Sequence, residues 1–293
     1  MVLRILLQTT LLPTETDDWT ISNFSLLTDY LKSLTDEHGQ PLCEVMARDR
    51  HPDADGNDPM LSNLDRNQFD ELWLFALDVG NGLSQKDCDG IVRFHCQGGG
   101  ILSTRDHQDM GISMCPLDRI GCFHYFNSQQ PDPDVSRRCR DDAATVAISW
   151  PNYHSGRNGD YQTITPVQPV HPLLRREDGT IIQYFPSHPH EGGVGVPEGM
   201  AEAQIVAMGT SKVTQRLFNL AIAADHPTDC IGNPPGRVVA QSTFHHFVNY
   251  NWDVSKGCPS FVEEIPGSGM VDCPQALADI HAYVKNLVLW LAP

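Results

Sequence analysis

The sequence has no apolar run long enough to cross a membrane, and it is poor in basic residues. No segment approaches the roughly 20 consecutive apolar residues that a membrane-spanning helix needs, so membrane insertion is not expected. Lysine and arginine together number 20 against 37 aspartates and glutamates, which gives a formal net charge of −17. Because no local basic patch interrupts this negative charge, a phosphate backbone would be repelled, and nucleic acid is not expected as a partner.

Paired cysteines of the Cys-X-X-Cys type are also absent. The nine cysteines are odd in number and irregularly spaced, which is typical of reduced, mostly buried thiols rather than of a disulfide scaffold or a zinc knuckle. Cys115, Cys122 and His124 form one looser cluster, although structural zinc normally uses more closely spaced ligand pairs. Gln8 and Thr9 interrupt the apolar N-terminus, and no small-residue cleavage pattern follows. This pattern favours a buried strand over a secretory signal, and we expect a cytoplasmic protein.

The first hundred residues alternate between strand and helix patterns. Residues 3–9 form a near-continuous apolar run, as in a parallel strand covered on both faces, and residues 43–47, 69–79 and 100–104 predict further strands. Between them, apolar positions at helical spacing predict helices, one of which begins with a capping box of Ser84 and Asp87. This order predicts an α/β fold with right-handed crossovers and a mostly parallel sheet.

The second half of the chain is less regular. Residues 115–140 contain several prolines and charged residues and predict an excursion over the surface, after which residues 143–150 could return as a strand. Residues 181–185, 205–208 and 237–242 predict further strands. Pro274 opens a C-terminal helix that reaches Leu291 with one apolar face, and we expect this helix to pack on the sheet. A single domain over residues 1–293 accommodates all of these elements.

Three polar clusters each follow a predicted strand, at the edge where open α/β sheets bind their ligands. Histidine titrates near neutrality and a carboxylate can orient it, so such clusters suit general acid and base catalysis, or ligation of a divalent metal. We expect Asp106, His107, His188, His190 and Glu191 to be catalytic. The residues expected to bind substrate are Thr104, Arg105, Gln108, His245 and His246.

Each cluster also has a purely structural explanation. Asp106 could cap a short helix with His107 packed beneath it. His188 and His190 flank a proline in a glycine-rich loop and could be surface residues. His245 and His246 lie between two phenylalanines, so one of the pair is expected to be a core histidine. Convergence of the three clusters in space would favour the functional explanation.

Several motifs, in the same order along the chain, resemble those of a known family. The segment GGGILSTRDH at residues 98–107 resembles the glycine-rich strand and turn of ThuA-like proteins, a branch of the class I glutamine amidotransferase-like superfamily. His171-Pro172-Leu173 is similar to that family's His-Pro-hydrophobic segment. The stretch from Gly236 to His246 is similar to its late glycine-arginine strand, which ends in histidine. The similarity covers about residues 1–250.

The resemblance implies a flavodoxin-like, three-layer α/β sandwich with the site at the turn after residue 102. In class I amidotransferases that turn presents a nucleophilic cysteine before a Gly-His-Gln, and a His-Pro-Glu segment supplies the base. Here Thr104 stands in the cysteine's place, Asp106 replaces the glycine, and His190 separates Pro189 from Glu191. Threonine is a far weaker nucleophile than a thiolate, so glutaminase activity is not expected.

The leading hypothesis is a ThuA-like protein acting on a small polar or sugar-like metabolite through histidine and carboxylate groups, with or without a divalent metal. The expected partner is then a small-molecule ligand, and the sequence is compatible with a homo-oligomer. The alternative is a non-catalytic scaffold that binds a ligand or partner after losing the nucleophile. A third hypothesis is a cysteine hydrolase that uses Cys115, the thiol nearest the turn in sequence.

Overall fold

A computed structural model describes residues 2–138, 140–141, 145, 147–225 and 234–293. An eight-stranded sheet runs through it in the order β2-β1-β3-β4-β12-β11-β10-β7. Its strands are β1 (Leu3–Thr9), β2 (Cys43–Arg48), β3 (Glu71–Phe75), β4 (Gly100–Thr104), β7 (Thr165–Pro166), β10 (Ala203–Thr210), β11 (Leu217–Ala224) and β12 (Val238–Gln241). Five neighbouring strands, β2, β1, β3, β4 and β12, are parallel to one another. Beyond β12, the strands β11, β10 and β7 extend the sheet in antiparallel pairing. The predicted α/β class with a mostly parallel sheet is confirmed.

Helices and short strands surround this sheet. The α-helices are α1 (Ser25–Ser33), α2 (Pro59–Ser62), α3 (Gln85–Cys96), α4 (Asp118–Gly121), α5 (Asn249–Trp252), α6 (Gly269–Asp272) and α7 (Pro274–Leu291). Two antiparallel ribbons pair β5 (His124–Tyr125) with β9 (Gly193–Val194), and β6 (Tyr161–Thr163) with β8 (Tyr184–Pro186). The predicted capping box is confirmed at the start of α3, where the Ser84 hydroxyl accepts from Asp87 N and the Asp87 carboxylate accepts from Ser84 N.

Apolar side chains from successive residues of each parallel strand enter two different cores. In β1, Ile5 and Leu7 join the core covered by α1 and α7, whereas Leu6 joins the core on the α3 side. Because side chains alternate across a strand, a strand buried on both faces must be apolar at nearly every position. This explains the continuous apolar run at the N-terminus and produces the three-layer arrangement.

Several sequence-based boundaries need correction. The strand predicted at residues 69–79 is shorter and spans Glu71–Phe75; beyond it, Leu77 N bonds to the Thr10 hydroxyl instead of a backbone carbonyl of a neighbouring strand. β8 starts at Tyr184, three residues later than predicted. Of the strand expected at residues 143–150, positions 143, 144 and 146 lie outside the described residues.

Residues 115–140 are not simply a surface excursion. Leu117, Ile120 and Phe123 are buried in the core on the α3 side, and the neighbouring Phe126 is fully buried as well. The prolines and charges at residues 127–138 conceal this apolar half in a sequence reading, and only that later part is largely exposed. The segment therefore closes one side of the sheet.

The cysteines also depart from expectation. Cys96 is disulfide-bonded, whereas Cys43, Cys88, Cys115 and Cys122 are free. The prediction that the thiols are uniformly reduced is therefore wrong at Cys96. Across the described part of the chain, no helix combines the length and the hydropathy required to cross a membrane.

Candidate active site

The carboxyl ends of two adjacent parallel strands bring two of the polar clusters together. β4 ends at Thr104, opposite Gln241, the last residue of β12. The chain after β4 carries Asp106 and His107, and the chain after β12 enters a 3₁₀ turn at Phe244–His246. The Thr243 hydroxyl donates to Asp106 Oδ1 at 2.8 Å and so joins the two strand ends directly.

Asp106 lies at the centre of the site with histidines around it. Its Oδ2 is 2.9 Å from His107 Nδ1 and 3.9 Å from His245 Nε2, and its Oδ1 is 3.5 Å from His188 Nε2. The carboxylate is only 2% exposed. Burial alone would raise the pKa of Asp106, but the charges and hydrogen bonds of His188 and His107 outweigh burial and hold that pKa well below its usual range. Asp106 is therefore an anion at neutral pH.

Two of these histidines are stacked on each other. The rings of His188 and His245 lie 3.5 Å apart between centroids, with their planes 10° from parallel. His188 Nδ1 is 2.9 Å from Asn158 Oδ1, so its two nitrogens face two oxygen acceptors. Burial, followed by the neighbouring His188, lowers the pKa of His245 well below its ordinary value. The two stacked rings thus differ in their environment.

His190 completes the histidine group. Its ring centroid lies 5.5 Å from those of both His107 and His188, in edge-to-face contacts. His188 and His190 are two positions apart, on either side of Pro189 at a turn, and both line the same cavity. Asp106, His107, His188, His190 and His245, predicted from three separate segments, therefore converge in space.

These five residues line a cavity of about 490 Å³, within the range of roughly 300–1,000 Å³ that is common for small-molecule sites. Trp19, Phe244 and Phe261 add aromatic surface to its wall, and Asp18, Glu263 and Glu264 add carboxylates. None of the described residues that line the cavity is lysine or arginine. The chamber is thus acidic and aromatic around a histidine-rich floor.

Glu191 and His246 lie behind the cavity wall rather than in it. Glu191 is fully buried and accepts hydrogen bonds from the Ser155 hydroxyl at 2.5 Å, the Ser242 hydroxyl at 2.8 Å and Gln162 Nε2 at 2.5 Å. His246 Nε2 lies 3.4 Å from the same carboxylate. Glu191, expected to be catalytic, and His246, expected to bind substrate, do not line the cavity and lie in a buried hydrogen-bond network.

That network still reaches the site through one hydroxyl. Ser155 Oγ, which donates to Glu191, also accepts from the backbone N–H of His188 at 2.9 Å. Glu191 therefore positions the loop that carries His188 without meeting a ligand. Of the histidine pair, His245 faces the cavity and His246 is the core histidine.

Arg105, Thr104 and Gln108 are also displaced from their predicted roles. The Arg105 guanidinium is fully buried against the Phe126 ring, 4.4 Å from its centroid, and donates to the Gln108 carbonyl; burial lowers its pKa to about 9. Thr104 is buried in β4, and Gln108 donates to the Ser149 hydroxyl at 2.7 Å. None of these three residues, which were expected to bind substrate, lines the cavity.

Cys115 does not supply an alternative nucleophile. Burial is the main cause that raises the pKa of its thiol to about 11, so the thiolate is scarce at neutral pH. Cys115 is also absent from the cavity wall. The cysteine-hydrolase hypothesis has no support in this geometry.

A divalent metal has one candidate position among the described residues. Ligand atoms of Asp106, His188 and His245 lie within 4.8 Å of one another, and two imidazoles with a carboxylate suit zinc and related ions. However, bound imidazoles aim their nitrogen lone pairs at the ion, and the nearly parallel rings of His188 and His245 would have to turn to converge. The arrangement fits a metal only after that rotation.

Several contributors to the candidate site were missed in the sequence. Asn158, which holds His188, comes from an irregular loop with no periodic pattern that could indicate its direction. Thr243 carries a signal that could have been used, because it is a hydroxyl residue two positions after the end of β12 and two before His245. Asp18 and Trp19 reach the cavity from the loop after β1.

Comparisons with known proteins agree at the level of the fold. No family model and no curated protein matches the sequence. The structure is similar to a cytoplasmic protein of Salmonella typhimurium LT2, at TM-score 0.54 and 9% identity over 99% of this chain and 100% of that one. It is also similar to a putative ThuA-like protein of Parabacteroides merdae, at TM-score 0.50 and 11% identity over 100% of this chain and 92% of that one. A second Salmonella cytoplasmic protein matches at TM-score 0.50 and 9% identity over 99% of both chains.

Identities this low establish a shared fold and nothing finer. The resemblance to ThuA-like proteins read from the glycine turn and the late histidine strand is thereby confirmed as a resemblance of fold. The chemistry has to be argued from the site itself.

Proposed function

We propose that this protein is an acid–base enzyme that acts on a small polar, sugar-like metabolite in the histidine cavity. The observation that carries the proposal is the stacked pair His188 and His245, whose Nε2 atoms both face the Asp106 carboxylate. Pairs of titratable groups whose environments separate their protonation states are the usual basis of an acid and base assignment.

His188 is the proposed acid. With Asn158 Oδ1 at one nitrogen and Asp106 Oδ1 at the other, a proton on each nitrogen satisfies both contacts, and the resulting cation is paired with the carboxylate. The 3.5 Å separation from Asp106 is longer than a normal hydrogen bond, so a substrate oxygen can compete for the Nε2 proton.

His245 is the proposed base. Its lowered pKa keeps the ring neutral at physiological pH, and its Nε2 faces Asp106. A proton on Nε2 then leaves a lone pair on Nδ1, which has no hydrogen-bond partner among the described residues. An unpaired nitrogen in a ring only 3% exposed is costly unless a ligand proton meets it, which favours a role in catalysis.

His107 and His190 serve as auxiliary groups in this scheme. His107 donates from Nδ1 to Asp106, so its other nitrogen is available toward the cavity, where the ring is partly exposed. His190 lies between His107 and His188 and extends the polar wall. Together they can bind hydroxyl groups of the metabolite while His245 removes a proton and His188 delivers one.

A metal-assisted version is the second candidate, supported by the three ligand atoms within 4.8 Å. Elemental analysis of protein purified without added metal or a polyhistidine tag distinguishes the two. Less than stoichiometric metal, together with activity that survives dialysis against a chelator, supports the acid–base form. A stoichiometric ion whose removal abolishes activity supports the metal form.

The direct test is turnover in deuterium oxide. A panel of aldoses, ketoses and keto-sugars is incubated with the protein, and proton spectra are followed for exchange at carbons next to a carbonyl group or for conversion to an isomer. We expect at least one compound to react with the wild-type protein and not with His245→Asn. Compounds that bind to the cavity without any exchange or conversion would instead favour the non-catalytic scaffold.

We also propose that the protein functions in the cytoplasm, as the names of the two Salmonella structures state for those proteins. The disulfide at Cys96 makes an oxidising compartment the competing outcome, because disulfides persist mainly outside reducing cytosol. Cell fractionation decides between them.

A further inference from the structure

The histidine cavity has a distribution of charge that its proposed chemistry does not require. Four carboxylates line it, from Asp18, Asp106, Glu263 and Glu264, and the described lining contains no lysine or arginine. Asp106 already faces three histidines. The other three acidic side chains lie on a different part of the wall, contributed by the loop after β1 and by residues 261–264.

These two wall segments are fixed side by side. Ser260 donates from its backbone N–H to Asp17 Oδ1 at 2.7 Å, and its hydroxyl also donates to the Asp17 carboxylate. Asp18 directly follows Asp17, Glu263 lies three residues after Ser260, and neither carboxylate forms an ion pair with a described residue. Two uncompensated carboxylates are therefore held on one cavity wall by a specific contact.

Two further features of the cavity indicate that it binds a ligand. His245 Nδ1 is unpartnered in a ring that is 3% exposed and lines the cavity. Phe261, on the same wall segment as Glu263, leaves 57% of its surface exposed beside this polar chamber. An aromatic face next to carboxylates is how proteins commonly bind an ammonium group, because the ring quadrupole and the anions both attract the cation.

We infer that the ligand of this cavity is an amine-bearing polyhydroxylated compound of the amino-sugar class, whose ammonium group is bound by Asp18 and Glu263 against Phe261. Phosphorylated and carboxylated sugars are disfavoured, because their anionic group would meet the Asp18 and Glu263 carboxylates on this wall, and the described lining has no lysine or arginine to bind it. The net charge of −17 acts in the same direction by raising the local concentration of cations. This inference rests on the proposed function and names the substrate class of the same site.

Equilibrium binding tests the inference without requiring turnover. Wild-type protein is titrated with glucosamine, glucose and glucose 6-phosphate in low salt near pH 6.5, with ligand-observed NMR or calorimetry as the readout. We expect glucosamine to bind about tenfold or more tightly than glucose, an advantage that falls as salt is added. Glucose 6-phosphate should bind more weakly than glucose.

Three variants locate the effect. Asp18→Asn and Glu263→Gln should each bring glucosamine affinity toward that of glucose. Glu15→Gln removes the same unit of charge from an exposed position outside the cavity and should change neither affinity. Equal or tighter binding of glucose or of its phosphate, or no binding of glucosamine, overturns the inference.

The two proposals fail separately. Turnover of uncharged sugars with no preference for the amine would support acid–base catalysis and overturn the amine inference. Selective glucosamine binding with no reaction of any amine-bearing compound would support the amine inference and overturn the proposal of acid–base catalysis.

Discussion

Asn158 Oδ1 lies 2.9 Å from Nδ1 of His188, and this contact sets the orientation of the ring that stacks on His245. The neighbouring nitrogen of His188 is thereby directed at Asp106. The contacts of His188 with Asn158, Asp106 and His245 therefore determine how the ring is oriented in the cavity.

Asn158→Ala should reduce turnover about tenfold with little loss of substrate binding. The substitution removes the acceptor for His188 Nδ1, so the ring can rotate and the proton on Nε2 is no longer held in position. Misoriented groups at the site of chemistry lower kcat more than they raise KM. A variant with unchanged kcat would show that Asn158 does not orient the acid.

His245→Asn and His246→Asn form a matched pair of adjacent substitutions. We expect the first to lower kcat about 10²–10⁴-fold, the usual contribution of a general base, while the protein remains folded. The second should act on stability instead, since His246 contacts Gln241 and Glu191 in the buried network. Turnover measures the loss of kcat in each variant, and thermal melting followed by circular dichroism measures the loss of stability. Equal losses of kcat in the two variants would contradict the prediction.

Glu191→Gln should destabilise the protein by about 1–3 kcal/mol, because a buried carboxylate that accepts from two hydroxyls and an amide is replaced by a group that needs acceptors itself. Urea unfolding measures the change. Activity per folded molecule should fall only modestly, since Glu191 reaches His188 through Ser155 alone. Loss of all activity in a fully folded variant would return Glu191 to the catalytic group.

Acid should destabilise the fold through His171, whose pKa is lowered to about 4 chiefly by burial. In the unfolded chain this histidine gains its proton near pH 6.5, but in the folded protein it stays neutral until about pH 4. Its contribution is therefore complete above pH 6.5 and is lost as the pH falls from there toward 4, at about 1.4 kcal/mol per pH unit.

His171→Asn isolates this effect. Asparagine keeps an acceptor for the Leu173 N–H at the start of the 3₁₀ turn and has no proton to gain. Unfolding free energies measured between pH 4 and 7 should show a shallower slope for the variant. Parallel curves for variant and wild type would show that His171 does not carry the dependence.

Strands that are apolar at nearly every position could be predicted from the sequence, whereas a strand that contains a buried polar residue could not. The run at Leu3–Thr9 is apolar at nearly every position, so its pattern alone identifies a central parallel strand. β11 was not predicted, because Asn219 interrupts an otherwise apolar run. That side chain is buried and donates to the Val194 carbonyl, a partner from a distant ribbon that no local pattern can reveal.

The rule that ligands bind where parallel strands end predicts the position of the candidate site, and Asp106, His107 and His245, chosen by this rule, line one cavity. It could not tell which neighbours face the ligand. His190 and Glu191 are consecutive where a turn ends, yet His190 lines the cavity while the Glu191 carboxylate is fully buried. Arg105 precedes Asp106 and is turned the other way, under Phe126.

The most direct measurement is the protonation of the stacked pair. Nitrogen-15 imidazole spectra of metal-free protein, assigned with His188→Gln and His245→Asn, report the state of each ring nitrogen at about pH 6, where an ordinary histidine is largely protonated. We expect His188 to be protonated on both nitrogens and His245 to be neutral with its proton on Nε2. The same protonation state in both rings would contradict acid–base pairing at this site.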